Sequence, residues 1–319
     1  MKQEYSKHPF AAMLLGMVLA LGVAVTAQAA DSKDLVLKGD AKCTTCHDQD
    51  EKSVMAIGKT RHGATGDSRT PTCTNCHGES PKHADHKGGN RPLPDRTFTK
   101  GTATPAEERN AACLSCHQGG NRIQWAGSQH EGQGLACTTC HKIHNQHDTV
   151  REKATQTEIC FSCHKEQRAQ SLRQSHHPIQ EGKVVCSNCH NPHGSSGSKL
   201  LHKNTVVETC YTCHAEKRGP FLWEHPPASD NCTNCHTPHG SNHASLLKTK
   251  PPYLCQQCHD FTHHPSTAYS GSGLPASAGG SAANAAGNSG AQQQLLRACL
   301  NCHTQVHGTN HPSGSRYTR

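Results

Sequence analysis

A chain of 319 residues that is 32% hydrophobic and only 4% aromatic cannot build an ordinary core from its side chains, since typical domains are about half apolar. Taken alone, that composition reads as disorder. The formal charge of +8 would by itself suit a nucleic-acid partner.

Residues 1–29 read as a secretory signal peptide. Lys2 and Lys7 give a positive start, residues 10–25 form an apolar stretch, and Ala27-Gln28-Ala29 is a small-x-small cleavage pattern. The mature chain is expected to begin at Ala30. No Arg-Arg pair precedes the apolar stretch, which fits the general secretory route. The run is short for an uncleaved membrane anchor, and no cysteine at the cleavage site invites a lipid anchor. The expected destination is the periplasm.

Residues 30–319 carry all twenty cysteines, and every one sits in a Cys-x-x-Cys-His motif, ten in all. The triples are Cys43/Cys46/His47, Cys73/Cys76/His77, Cys113/Cys116/His117, Cys137/Cys140/His141 and Cys160/Cys163/His164. They continue with Cys186/Cys189/His190, Cys210/Cys213/His214, Cys232/Cys235/His236, Cys255/Cys258/His259 and Cys299/Cys302/His303. This is the attachment signature of c-type haem. Two thiols form thioethers to the porphyrin, and the adjacent histidine ligates iron from one face. Zinc knuckles and disulfide frameworks also use paired cysteines, but neither requires a histidine directly after each second one. Ten covalent haems are therefore expected. Haem attachment takes place outside the cytoplasm, in agreement with the export signal.

The haems reverse the composition argument. About 29 mature residues accompany each haem, and each porphyrin buries surface as a core side chain would. Folding should depend on the cofactor. Removing the signal leaves about +7, and twenty propionates against ten ferric centres bring the formal sum to about −3. Much of the lysine and arginine then offsets propionates, and no nucleic-acid partner is expected.

A two-haem unit recurs through the middle of the chain. His130, Cys137, His144 and Cys160 form one copy; His177, Cys186, His193 and Cys210 the next; His225, Cys232, His239 and Cys255 the third. A looser copy begins at His62 and Cys73, and the motifs at Cys43 and Cys299 cap the ends. The expected fold class is a multihaem cytochrome c: short helices and loops wrapped around a chain of ten haems, elongated, with little or no sheet. Residues 157–168 and 206–218, which hold few breakers, are expected to be helical. Residues 270–294 are almost entirely Gly, Ala, Ser, Asn and Gln and read as a flexible surface loop. No mature segment is apolar enough for a membrane-spanning helix.

The sixth ligand decides between carrier and enzyme. Of 28 histidines, one lies in the signal and ten are proximal, so seventeen remain for ten distal positions. Methionine cannot fill them, since only Met55 lies beyond the signal region. The candidates are His62, His86, His130, His144, His177, His193, His225, His239, His264 and His307. His130, His177 and His225 hold equivalent positions before a motif, and His144, His193 and His239 share a spacing after one. His264 precedes a proline, as His177 does, and is preferred over His263. His86 against His83, and His307 against His311, remain open. His147, His176, His202 and His243 are expected to face solvent or bond propionates. Ten bis-histidine irons would be coordinatively full, with no catalytic residue and no place for substrate.

The chain resembles the periplasmic decahaem cytochromes of the MtrA/DmsE type. The likeness rests on the ten motifs, on His176-His177-Pro178, on Asn191-Pro192-His193-Gly194, on Glu224-His225-Pro226-Pro227, and on the ending Val306-His307-Gly308 with His311-Pro312-Ser313-Gly314. It implies a haem wire threaded through an outer-membrane β-barrel porin. The implied partners are that porin, periplasmic or inner-membrane-anchored cytochromes, and an extracellular multihaem cytochrome. The wire would pass electrons to or from extracellular acceptors or donors such as iron, and the same array serves either direction. The competing expectations are a free periplasmic shuttle to a terminal reductase and, less favoured, a multihaem reductase of small nitrogen oxo-compounds.

Overall fold

The computed structural model describes residues 41–47, 51–64, 66–99, 101, 103–259 and 299–318. The signal peptide, the loop at 270–294, and His263 and His264 lie outside the described residues. Within them the fold is short helices joined by turns, with no β-strand. Four isolated antiparallel bridges join Ser175 to Ser241, His190 to Leu201, Trp223 to Thr309 and His236 to Leu247.

The longest helices, Ala106–Leu114 and Lys153–Phe161, have nine residues each. Each runs directly into a haem motif. Local caps start several of these elements. Thr72 Oγ1 accepts from the Asn75 N–H while Asn75 Oδ1 accepts from the Thr72 N–H, opening the helix Cys73–His77. Thr205 Oγ1 likewise accepts from the Glu208 N–H at 3.1 Å and opens Val206–Tyr211. Such caps satisfy donors that the first turn leaves orphaned.

The helices expected over 157–168 and 206–218 are each broken. The first is Lys153–Phe161 followed by Lys165–Ser171, and the second is Val206–Tyr211 followed by a 3₁₀ turn Ala215–Lys217. The break falls at the motif histidine. His164 has φ −83° and ψ 67°, and His214 has φ −100° and ψ 50°. Leaving the helical region at that residue lets its ring face a distant histidine, His130 for His164 and His177 for His214.

Side chains alone make almost no core. The buried hydrophobic residues among those described are Trp125, Ala136, Phe161, Val185 and Val207. The interior is instead a continuous cavity of about 5390 Å³ lined by cysteines or histidines of all ten motifs. A chain with so few apolar residues packs around that space rather than filling it.

Candidate haem centres

Numbering the centres one to ten by motif order, the proximal histidines of the first nine each face one other histidine. The pairs are His47 with His83, His77 with His144, His117 with His62, His141 with His193, and His164 with His130. They continue as His190 with His239, His214 with His177, His236 with His307, and His259 with His225. Ring centroids lie between 5.8 Å, at His62–His117, and 6.3 Å, at His177–His214. Two metal–nitrogen bonds of about 2 Å, plus the half-widths of two imidazoles, span about 6 Å. The spacing therefore fits one iron between each pair. The tenth proximal residue, His303, is described, but His264 is not.

The sequence left two choices open, and the structure separates them. His83, not His86, faces His47. The reason is helix register: Pro81 starts the short helix Pro81–Ala84, and the His83 Nδ1–H donates to the Pro92 carbonyl at 2.7 Å. Lys42 holds this segment against the first motif through the Glu79 carboxylate at 2.5 Å and the Glu79 carbonyl at 3.0 Å. His86 lies on the loop beyond the helix, where its carbonyl accepts from Arg91. At the other end, His307 faces His236, while the His311 Nδ1 accepts from the Ser313 N–H. Of the histidines not proposed for iron, His147 meets Glu152, His176 meets Glu181, and His202 bonds the Ser187 carbonyl.

Ring nitrogens facing away from the pair are tied down. The distal candidates His130, His177 and His225 donate from Nδ1 to the carbonyls of Pro192, Pro238 and Val306. The proximal His190 and His236 donate to Lys199 and Ser245 at 2.8 and 2.7 Å. Lys199, Leu200, Ser245 and Leu246 all have left-handed backbones, with φ between 55° and 59°. Non-glycine residues adopt that conformation at a cost, and here it aims a carbonyl at a ring in two equivalent copies.

The cysteines give the order of the centres. The Cys113 thiol hydrogen-bonds Cys137, Cys160 bonds Cys186, and Cys210 bonds Cys232. In each pair the partner's hydrogen bond pushes the first thiol up, with burial adding to it, and holds Cys137, Cys186 and Cys232 down to about 7. Cys255 stands beside Cys299 in the same way. Between these contacts, Cys140 lies near Cys163, Cys189 near Cys213, and Cys235 near Cys258. First cysteines meet first cysteines, then second cysteines meet second. From the third motif to the tenth, each centre thus neighbours the next in sequence.

Second cysteines lie nearer the surface than first ones. Cys46, Cys116, Cys163, Cys189, Cys213, Cys258 and Cys302 are exposed, whereas the first cysteine of every motif is half-buried.

Burial favours neutral, ligating imidazole. Desolvation is the largest cause lowering His62, His77, His225, His239 and His307. It brings His193 to about 4, with the nearby His141 as the next cause. The cavity also offers donors for a carboxylate-bearing group. Arg122 Nε, Trp125 Nε1 and Thr138 Oγ1 are buried without a hydrogen-bond partner in the protein and belong to its lining. Paired rings at iron spacing, paired thiols and orphaned donors together fit haem with its propionates.

Comparison with known proteins agrees with this chemistry. A family model for the doubled CXXCH motif matches residues 176–219 and 225–264, and one for NrfB-like c-type cytochromes matches residues 73–155. The cytochrome c-type protein NrfB of Escherichia coli is 31% identical over 44% of this chain and 76% of its own length. The multiheme cytochrome MtrA of Shewanella baltica is 46% identical over 287 residues, covering 88% of this chain and 82% of the relative. An identity of that size across most of both chains, together with the thiol and imidazole geometry, makes this protein a member of the MtrA family of multihaem electron-transfer cytochromes, with c-type haem bound covalently at its Cys-x-x-Cys-His motifs.

Proposed function

We propose that the chain holds ten bis-histidine haems in sequence order and relays electrons across the outer membrane inside a porin complex, between periplasmic carriers and extracellular acceptors or donors such as iron. The observation that carries this reading is the set of nine histidine pairs at iron spacing, with the centres from the third onward joined in order by neighbouring cysteines. When bound, haem supplies reversible one-electron chemistry. The residues determine what that chemistry is used for. Two facing imidazoles would hold each haem iron, and an iron so held would have no free coordination position for a substrate. Carbonyls hold the outer nitrogens of His130, His177, His190, His225 and His236, which would limit their movement between oxidation states.

Membership of the MtrA family and the chain's own chemistry support a porin as partner. Among the described residues no helix is long and apolar enough to cross a membrane. A carrier with a polar surface crosses the hydrocarbon layer only inside another protein, and β-barrel lumens are polar. Export by a cleaved signal peptide, 1–29, would deliver residues 30–319 to the periplasmic side.

Two measurements test the proposal. The haem-loaded protein should contain ten haems by mass and give only low-spin ferric signals in electron paramagnetic resonance. A high-spin signal would point to an open iron and to a reductase. The protein should also co-purify with a β-barrel from detergent-solubilised outer membranes. Complete recovery in the soluble periplasm would replace the conduit with a free shuttle.

A further inference from the structure

The repeat supplies its own internal control for the proximal ligand. In the second and third copies the proximal ring donates to a main-chain carbonyl nine residues on: His190 to Lys199 and His236 to Ser245. The equivalent position in the first copy is Val150. There the ring of His141 turns instead to a carboxylate, and its Nδ1 lies 2.6 Å from Asp148 Oδ2. Asp148 is fixed by a second contact, since its Oδ1 accepts from the Lys142 N–H at 3.2 Å. The corresponding residues in the other copies are Gly197 and His243, neither of which can supply a carboxylate.

Two other proximal histidines meet carboxylates, but in wetter settings. His47 meets Glu51 at 2.7 Å with side-chain exposures of 37% and 49%, and His214 meets Glu216 only at 3.6 Å with 55% and 60%. For His141 and Asp148 the exposures are 26% and 18%. Across the ring pair, the facing His193 lies beside Trp125, itself 7% exposed. Water screens the first two pairs strongly and the third much less.

We propose that Asp148 is a positioning residue that makes the fourth centre, Cys137/Cys140/His141, a low-potential station in the array. The proposal rests on the bis-histidine reading above. A carboxylate accepting the Nδ1–H makes the imidazole a stronger donor to iron, and a stronger donor stabilises ferric over ferrous iron. The proton stays on Nδ1, and no bond is made or broken. The carbonyl acceptors at the sixth and eighth centres carry no net charge and exert the weaker pull. The fourth centre therefore lies below the sixth and eighth in potential.

The test is a spectroscopic potentiometric titration of the full haem-loaded chain. Asp148→Asn keeps an acceptor oxygen and removes the charge, Asp148→Glu keeps the charge, and Glu51→Gln removes an exposed carboxylate for comparison. Asp148→Asn should move one haem equivalent out of the low-potential end, and Asp148→Glu should move it back. Glu51→Gln should shift its centre by less. Superposition of the Asp148→Asn and parent curves overturns the proposal. A parent with fewer than ten haems, or with high-spin iron, instead removes the ligation reading and is seen before any variant is made. If Asp148→Asn loads fewer haems than the parent, a reduced-minus-oxidised infrared difference spectrum of parent protein labelled with ¹³C-aspartate decides. An aspartate carboxylate band that moves on reduction supports the proposal, and the lack of one overturns it.

Discussion

The Nδ1–H of His177 donates to the carbonyl of Pro238 across 2.7 Å and 61 positions of sequence. The ring of His177 faces His214, and the residue after Pro238 is His239, whose ring faces His190. One hydrogen bond thus joins the ligand sets of the sixth and seventh centres. The same link recurs from His130 to Pro192, beside His193, and from His225 to Val306, beside His307. Neighbouring centres are braced against each other in pairs. His177→Ala should therefore leave the seventh iron high-spin and cost about 1 kcal/mol more in bracing at the sixth. Spin quantitation together with a thermal melt measures both effects.

The first centre separates two histidines only three residues apart. His83 faces His47, and His86 does not. His83→Ala should convert one haem in ten to high spin, detected by electron paramagnetic resonance. His86→Ala should leave the low-spin spectrum unchanged.

The carboxyl-terminal segment acts as a strap. It brings His307 to His236, pairs Thr309 with Trp223, and places the Tyr317 ring 5.4 Å from that of His225. His307→Ala should open the eighth iron, whereas His311→Ala should not. Truncation after His303 should open the eighth iron and also free His225, so that carbon monoxide binding to the reduced protein rises from near zero to at least one equivalent.

Two glycines admit chain crossings. Gly194 and Gly240 have φ of +110° and +155°, and a Cβ on either would collide with the carbonyl oxygen of Gln124 or Gln170 respectively. Each directly follows a proposed distal ligand, His193 or His239. Gly194→Ala or Gly240→Ala should cost about 2–4 kcal/mol in thermal unfolding. Gly66→Ala, with nothing within 4 Å, should change stability by less than about 0.5 kcal/mol.

The fourth centre should tolerate acid. Burial holds His193 near 4, below its ordinary value of 6.5, so the folded state keeps the ring neutral where an unfolded chain would protonate it. Its contribution to stability is complete above 6.5 and is lost as pH falls through about 4, because only the unfolded chain takes up the proton in that window. The low-spin signal of this centre should persist at pH 5, as followed by spectroscopic acid titration.

The sequence alone settled the chemistry of attachment, because thioether linkage and proximal ligation need residues adjacent in the chain. Cys137, Cys140 and His141 must be contiguous to serve one haem, so the motif is readable without a fold. The shortage of apolar side chains was equally legible, and it foretold an interior made by something other than side chains. The regular His144, His193 and His239 spacing marked further iron-facing candidates, since repeated units repeat their geometry. Only the tertiary structure decided which ring faces which, because the facing ligand comes from a distant part of the chain. His144 faces His77, and His62 faces His117. Spacing could not choose His83 over His86 either, since the choice depends on where Pro81 starts a helical turn. The carboxylate behind His141 was hidden for the same reason. Asp148 is an ordinary acidic residue in the sequence, and only the turn of the chain after the motif, where the other copies present a carbonyl, sets it against the ring.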